Sequence, residues 1–269
     1  MRVAGLAIDA DFEYYQASGS TVAGTQNRVA AVMNAVNLVY ERDVAITHAI
    51  TTIVVRSSAN DPYSASLAGS RLTQLRDEWN ANFQTVDRDT VHLFTGQDLD
   101  GDVVGVAYSA VVCNRSSGYG LSQDRGTSTD MVGLVCHELG HNWSARHCNE
   151  PPAQSPCTIM CSSLNLCDGL GAPNFDPFTI GTISGFADTR PCLSLQPRGI
   201  WVDFAYSGTE RGTQSQPFNT LAEGISAAPC GFNVVLVGNR SSPQTGVFQR
   251  PAGCPVTLNA VNGPVTIGR

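Results

Sequence analysis

Three of the five histidines in the chain fall within the stretch HELGHNWSARHC at residues 137–148. His137, Glu138, His141 and His147 occupy relative positions 0, +1, +4 and +10. On a helix, residues four apart share a face, so His137 and His141 can present two imidazole nitrogens to one ion. A catalytic zinc takes three protein ligands and keeps its fourth position for water. His147 lies too far along a continuous helix to be the third ligand, so the helix must break after His141 to bring it back. Water on such an ion has a pKa near 7, and Glu138, beside the first ligand, is the carboxylate placed to act as its general base. A bare HExxH also arises by chance on solvated helices. The third histidine, the small Gly140 between the ligands and the cysteine-rich stretch that follows weigh against that reading.

The elements that must hold these groups show in the periodicity. Residues 130–146 carry Met131, Leu134, Val135 and Leu139 at helical spacing, with capping side chains at 127–130. Upstream, residues 3–10 read as a buried strand, 25–41 as an amphipathic helix, 46–55 as a second strand and 66–83 as a second helix. Residues 90–94 and 103–112 read as two further strands, separated by the turn-prone GQDLDGD. This order implies an α/β layer arrangement. After Cys148 the composition shifts to Pro, Cys, Ser and Asn up to Asp176, and a short apolar segment then runs to Cys192. Residues 1–196 therefore read as one domain. Residues 197–269 read as a small all-β unit, with few charges, an amphipathic piece at 218–227 and the apolar runs NVVLVG, PVTLNAV and PVTIG.

Composition narrows the partners. A net charge of −7 without any Lys/Arg run argues against nucleic acid or an anionic membrane, since phosphate binding needs a concentrated cationic field. No stretch reaches the 18 or more apolar residues of a membrane span. Nine cysteines, seven of them from Cys113 to Cys192, suggest disulfides and an oxidising, extracellular compartment. The competing zinc–thiolate reading lacks any C-x-x-C pair, and Cys157 and Cys161, four apart, would need two further thiolates. The disulfide candidates are Cys113, Cys148, Cys157, Cys161, Cys167, Cys192, Cys230 and Cys254, and the odd total leaves at least one thiol free. The start, MRVAGLAIDADF, meets Asp9 too soon for a secretory signal. A removed leader, or a longer product, would reconcile that start with export.

HELGHNWSARH resembles the extended zinc signature HExxHxxGxxH of the metzincins, and CTIM at 157–160 resembles the Met-turn that follows it. LAIDADFEYY, VAAVMNAVNLVYER, DTVHLFTG, and GDVVGVAYSAVVC followed by GYGLS are similar, in the same order, to the adamalysin/reprolysin (ADAM-like) branch, so the resemblance covers roughly residues 1–195. It implies a zincin fold with a mixed five-stranded sheet and an active-site helix. It also implies a zinc endopeptidase with one catalytic Zn2+ on His137, His141 and His147. Met160 would be the apolar floor beneath the metal, and Glu138 would activate the zinc-bound water. Protein or peptide substrates would lie extended along the edge strand at 103–110, meeting the backbone of Gly105, Val106 and Ala107. The family's bridge maps onto Cys113 and Cys192. Calcium is not carried over, because Gly5 stands where many reprolysins have a calcium-binding glutamate and the turn with Asp98, Asp100 and Asp102 reads as solvated.

The chain departs from that pattern at two positions. Ser144 replaces a glycine at the turn between the second and third ligands, where positive φ would cost a side chain about 1 kcal/mol. Cys148 follows the third ligand where most of the family has Asp, and a disulfide to Cys157 or Cys167 is expected. Gly140 is expected close to the packed sheet, Cys136 as a buried structural thiol, and His48 and His92 as satisfied core residues. In the C-terminal unit, WVDFAYSG and QPFNTLAEGISAA followed by strands resemble the opening of a right-handed parallel β-helix. Three function classes compete: a secreted zinc endopeptidase, a non-catalytic binding or adhesion module that keeps the fold, and a zinc hydrolase of non-peptide substrates. Retention of Glu138 and all three histidines favours the first.

Overall fold

The computed structural model describes residues 1–126, 129–150, 158–162, 174–195, 199–214, 216–228, 233–242 and 256–268. The chain divides into two units, Met1–Leu195 and Gln196–Arg269. The first unit runs β1 (Arg2–Ala10), α1 (Phe12–Ala17), α2 (Val22–Val44), β2 (Ile46–Val55), α3 (Ala68–Asn82), β3 (Thr90–Thr95), β4 (Gly105–Ala107), β5 (Tyr119–Gln123), α4 (Thr129–Asn142), α5 (Pro177–Asp188) and β6 (Ser194–Leu195).

Strand β1 is apolar over nearly its whole length because helices cover both faces of the sheet, which removes any need for alternation. It pairs in parallel with β2 on one side and with β3 on the other. Parallel β5 extends the sheet beyond β3, and β4 closes that side antiparallel to β5, giving the order β2-β1-β3-β5-β4. This is the expected mixed sheet, with the two-residue β6 added antiparallel at the start of β1.

One face of the sheet is packed by α2 and α4. Val29, Val32, Met33, Val36 and Tyr40 of α2 share a core with Met131, Val135 and Leu139 of α4. The other face carries α3, whose Leu72, Leu75 and Trp79 pack on Val91, Leu93, Tyr119 and Leu121. Buried carboxylates lock α3 to the sheet: Asp9 accepts from Arg56, Tyr63 Oη and Trp79 Nε1, and Asp11 accepts from Arg71 at 2.7 Å. These charges are fully buried and stay tolerable because each is paired and hydrogen-bonded.

The structure corrects several boundaries. The strand expected at 103–112 is confined to Gly105–Ala107. Ala110 takes φ 58, and the following backbone turns to the end of α4, with Ala110 N–H donating to His141 O and Val111 N–H to Asn142 O, both at 2.9 Å. The helix expected at 130–146 stops at Asn142. The helix expected at 25–41 runs from Val22 to Val44, between a Thr21 cap and Ala45 in the left-handed region. Strand β5 and helix α5 were not read from periodicity. For α5, Asp176 accepting from the N–H groups of Phe178 and Thr179, with Pro177 in the first turn, is a start signal that the sequence does carry. The capping position Thr127 lies outside the described residues.

The disulfide Cys113–Cys192 ties the segment after β4 to the segment before β6. In the second unit, β7 (Gly199–Val202), α6 (Leu221–Ala227), β8 (Asn233–Val237), β9 (Arg240–Ser242), β10 (Thr257–Val261) and β11 (Val265–Ile267) follow in order. Here β7, β8 and β10 form a parallel three-stranded sheet, and β9 pairs in parallel with β11. Val202, Leu221, Val234 and Leu236 form its core. Cys230 and Cys254 lie outside the described residues. Among the described residues no helix is long and apolar enough to cross a membrane.

Candidate metal centre and cleft

Helix α4 is buried on almost every side, with every residue from Met131 to Gly140 out of solvent, so its rotation and depth are fixed by packing. Tyr40 Oη reaches in from α2 and donates to Cys136 O at 2.9 Å. Cys136 is a free, fully buried thiol whose pKa burial pushes up, which makes it inert rather than nucleophilic. At the C-terminal end, Asn142 donates to Tyr108 O and Tyr119 O, and Trp143 Nε1 donates to His48 Nε2 at 3.0 Å. His48 is buried, and so is His92, whose Nε2 lies 3.0 Å from Ser122 Oγ; burial lowers both pKa values to about 3.

The helix break that the spacing demanded is a Schellman motif. Ser144 N–H donates to His141 O and Ala145 N–H donates to Gly140 O, both at 2.9 Å, with Ser144 at φ 76. Ser144 therefore takes the left-handed conformation that glycine usually supplies. The turn has a second consequence, since it brings Ala145 O within 2.9 Å of His141 Nδ1.

The three imidazoles converge. His141 Nε2 lies 3.1 Å from both His137 Nε2 and His147 Nε2. Each opposite nitrogen faces an acceptor: His137 Nδ1 is 2.7 Å from Ile159 O, His141 Nδ1 meets Ala145 O, and His147 Nδ1 is 3.2 Å from Glu150 Oε1. Those acceptors fix the Nδ1–H tautomer, so the facing Nε2 atoms carry lone pairs. Three lone pairs pointed together repel one another unless a cation lies between them. Tetrahedral zinc with nitrogen ligands at about 2.0–2.1 Å sets them about 3.3 Å apart, close to the spacing here. Burial, with neighbouring His141 and His147 adding to it, lowers the His137 pKa to about 3, and burial also lowers that of His141; both are therefore neutral donors at ordinary pH. The donor set fits a zinc ion and leaves coordination free for water.

Glu138 sits beside this cluster, 4% exposed, with Oε2 unpaired among the described residues. Burial pushes its carboxyl up to about 8. A cation among the three imidazoles opposes that shift and favours the ionised form. Strand β4 passes against the same carboxylate: a Cβ at Gly105 would stand 2.5 Å from Glu138 Oε1 and 2.9 Å from its Cγ. Gly105, Val106 and Ala107, as the terminal strand of the sheet, line one wall of a cleft of about 520 Å3 whose floor carries His137, Glu138 and His141.

Met160 is fully buried. Its Sδ would be 2.5 Å from a Cβ at Gly140, so Gly140 is small to admit the methionine, not, as expected, because it nears the sheet. Met160 O accepts from Cys148 N–H at 2.9 Å. Cys148 is bonded to Cys161, immediately after Met160, instead of to Cys157 or Cys167. That pairing joins the third histidine's turn to the methionine turn directly; Cys157, Cys167 and residues 163–173 lie outside the described residues. Sequence reasoning missed the two carbonyls and Glu150. A carbonyl has no residue-type signature, whereas a carboxylate three residues beyond a ligand histidine was readable.

Known proteins were compared with this chain. It is 30% identical over 149 residues to the zinc metalloproteinase-disintegrin-like brevilysin H2a of Gloydius brevicauda, covering 54% of this chain and 35% of that protein. It is 27% identical over 108 residues to the snake venom metalloproteinase acutolysin-C of Deinagkistrodon acutus, covering 39% of this chain and 26% of that protein. The matched segment thus spans about a third or less of these curated relatives. A solved structure described as "Structure of a chaperone-substrate complex" shares the fold at a TM-score of 0.52 and 15% identity, covering 68% of this chain and 33% of that one. A reprolysin-type family model, described as metallo-peptidase family M12, matches residues 1–171, and the chain belongs to that family.

Proposed function

We propose that the chain is a zinc-dependent endopeptidase that hydrolyses peptide bonds of protein substrates. The observation that carries this reading is the convergence of three Nε2 lone pairs beside the unpaired Oε2 of Glu138, in a cleft walled by an open strand edge. His137, His141 and His147 would hold the ion. When bound, zinc supplies Lewis acidity toward a scissile carbonyl and lowers the pKa of water.

The chain's own groups do the rest. Among the described residues strand β4 is paired to β5 on one side only, and its other edge would bind an extended substrate through backbone hydrogen bonds at Gly105, Val106 and Ala107. Glu138 Oε2, without a competing partner among the described residues, would take a proton from the attacking water and return it to the leaving amine. Gly105 lets β4 lie against that carboxylate, because a side chain there would meet it. Met160 would floor the metal site, and the Cys148–Cys161 bridge would hold the third ligand in reach. The two disulfides among the described residues support an extracellular or other oxidising location. For residues 197–269, the parallel pairing of β7, β8 and β10 supports reading them as coils of a parallel β-helix.

The test is zinc content together with cleavage of a mixed peptide library by the whole chain and by Glu138→Ala. One zinc per chain is expected in both, with cleavage slower in the variant by about 10²–10⁴-fold, the contribution of a general base. Equal cleavage by the variant, or no stoichiometric zinc in the parent chain, overturns the reading.

A further inference from the structure

The three histidines differ in what holds the ring away from the cluster. His137 and His141 each meet a backbone carbonyl, Ile159 O and Ala145 O, supplied by rigid segments at the methionine turn and the helix end. His147 meets a carboxylate, Glu150 Oε1. Its side chain is also 34% exposed where His137 is buried, so packing alone does little to fix its orientation. The carboxylate is delivered by a turn, in which Glu150 N–H donates to His147 O at 3.1 Å. That turn is anchored at its second residue by the Cys148 N–H bond to Met160 O and by the bridge to Cys161.

We infer that Glu150 is a positioning residue for the third metal ligand: it holds the His147 ring by its Nδ1 and so fixes the tautomer with Nε2 toward the cluster. The inference rests on the zinc reading above. A hydrogen bond from a ligand imidazole to a carboxylate orients the ring and strengthens its donation, and losing such a partner costs about 10–100-fold in metal affinity. Because Glu150 is half exposed, the lower end of that range applies. The same carboxylate lies on the wall of the cleft, so its charge also offsets part of the charge that a divalent ion brings to three neutral ligands.

The experiment is the zinc affinity of the whole chain, measured by competition with a chromophoric chelator, alongside melting temperatures with and without zinc. Glu150→Ala is expected to bind zinc about tenfold more weakly. Glu150→Gln, which keeps an acceptor oxygen but loses the charge, should fall between it and the parent. The visible bands of the cobalt-substituted protein should shift in both variants. Melting temperatures without metal should match the parent's, whereas the gain on adding zinc should shrink. Parent-like zinc affinity in Glu150→Ala overturns the inference, as does a loss confined to the metal-free melting temperature. His147→Ala separates the two readings: if it binds zinc like the parent, or the parent takes no zinc, the metal centre itself is wrong. Tight parent binding with an indifferent Glu150→Ala removes only the role of Glu150.

Discussion

His137 and His141 arrive at the cluster on α4, where burial from Met131 to Gly140 leaves the helix no freedom to rotate. His147 arrives on a short turn held by a left-handed serine, one backbone bond to Met160, one disulfide and one carboxylate. The first half is positioned by close packing, which is insensitive to any single polar contact but intolerant of added volume. The second half is positioned by a few discrete constraints, each of which a single substitution can remove. The two halves should therefore fail in different ways when perturbed.

The sharpest test of the packed half is Gly105→Ala. The new methyl would collide with both Oε1 and Cγ of Glu138, on a helix that cannot retreat, so the carboxylate must leave its position. Cleavage is expected to fall by roughly 10²–10³-fold, because a misplaced general base forfeits most of its contribution. Zinc content should be retained. Parent-like kcat/KM in this variant would mean that Glu138 has room to move and that packing does not set its position.

The matching test of the turn half is Cys148→Ala with Cys161→Ala. Closing so short a loop stabilises by about 3 kcal/mol in the chain-entropy account, and urea unfolding of the double variant should show a loss of that order. Zinc affinity should fall as well, since His147 loses its tether to the methionine turn. A double variant as stable as the parent would show that the backbone bond to Met160 suffices to hold the turn.

The same contrast decides how much could be read from the sequence. Helical period placed His137 and His141 on one face with Glu138 beside the first ligand, and the demand for a break before His147 followed from spacing alone. The partner of Cys148 did not follow, because it depends on the methionine turn folding back over α4, a tertiary event with no local period. Nor did the short length of β4, which is set by the backbone at Ala110 and Val111 preferring the free carbonyls at the end of α4 to another strand. Strand β5 escaped notice because its residues are buried on both faces, so they show no alternation. What was legible was what local periodicity fixes; what was not is what long-range partners fix.

On the packed half, acid should be the selective stress. Trp143 N–H donates to His48 Nε2, so the ring must stay neutral, with its other nitrogen 3.1 Å from Asn37 Oδ1. The His48 pKa falls from 6.5 to about 3 on folding because the site is desolvated. The unfolded chain therefore binds the proton more tightly. Stability from this group is complete above pH 6.5 and is lost as pH falls toward 3. At pH 5 the loss is about 2 kcal/mol. Urea unfolding at pH 7 and pH 5 should show it, and His48→Gln should flatten that part of the dependence. A variant with the parent's pH dependence would assign the acid sensitivity elsewhere.

On the turn half, the smallest effect should carry the opposite sign. Ser144 sits at φ 76, where a Cβ is strained, while the Schellman bonds at Ser144 and Ala145 are made by backbone and need no particular side chain. Ser144→Gly removes the strain, worth about 1 kcal/mol, but gives the unfolded chain more freedom, which returns about half of it. A net gain of about 0.5 kcal/mol is expected in urea unfolding, with the melting temperature moving the same way. Ser144→Ala is the control: it keeps the Cβ and should leave stability near the parent's. Should alanine gain as much as glycine, the serine hydroxyl and not the backbone would be the source of the cost. Should neither change, the turn is stiff enough that its conformation is dictated by the packed helix on one side and the bridged Cys148 on the other, and the residue family members carry there is a convenience of folding that this chain does without.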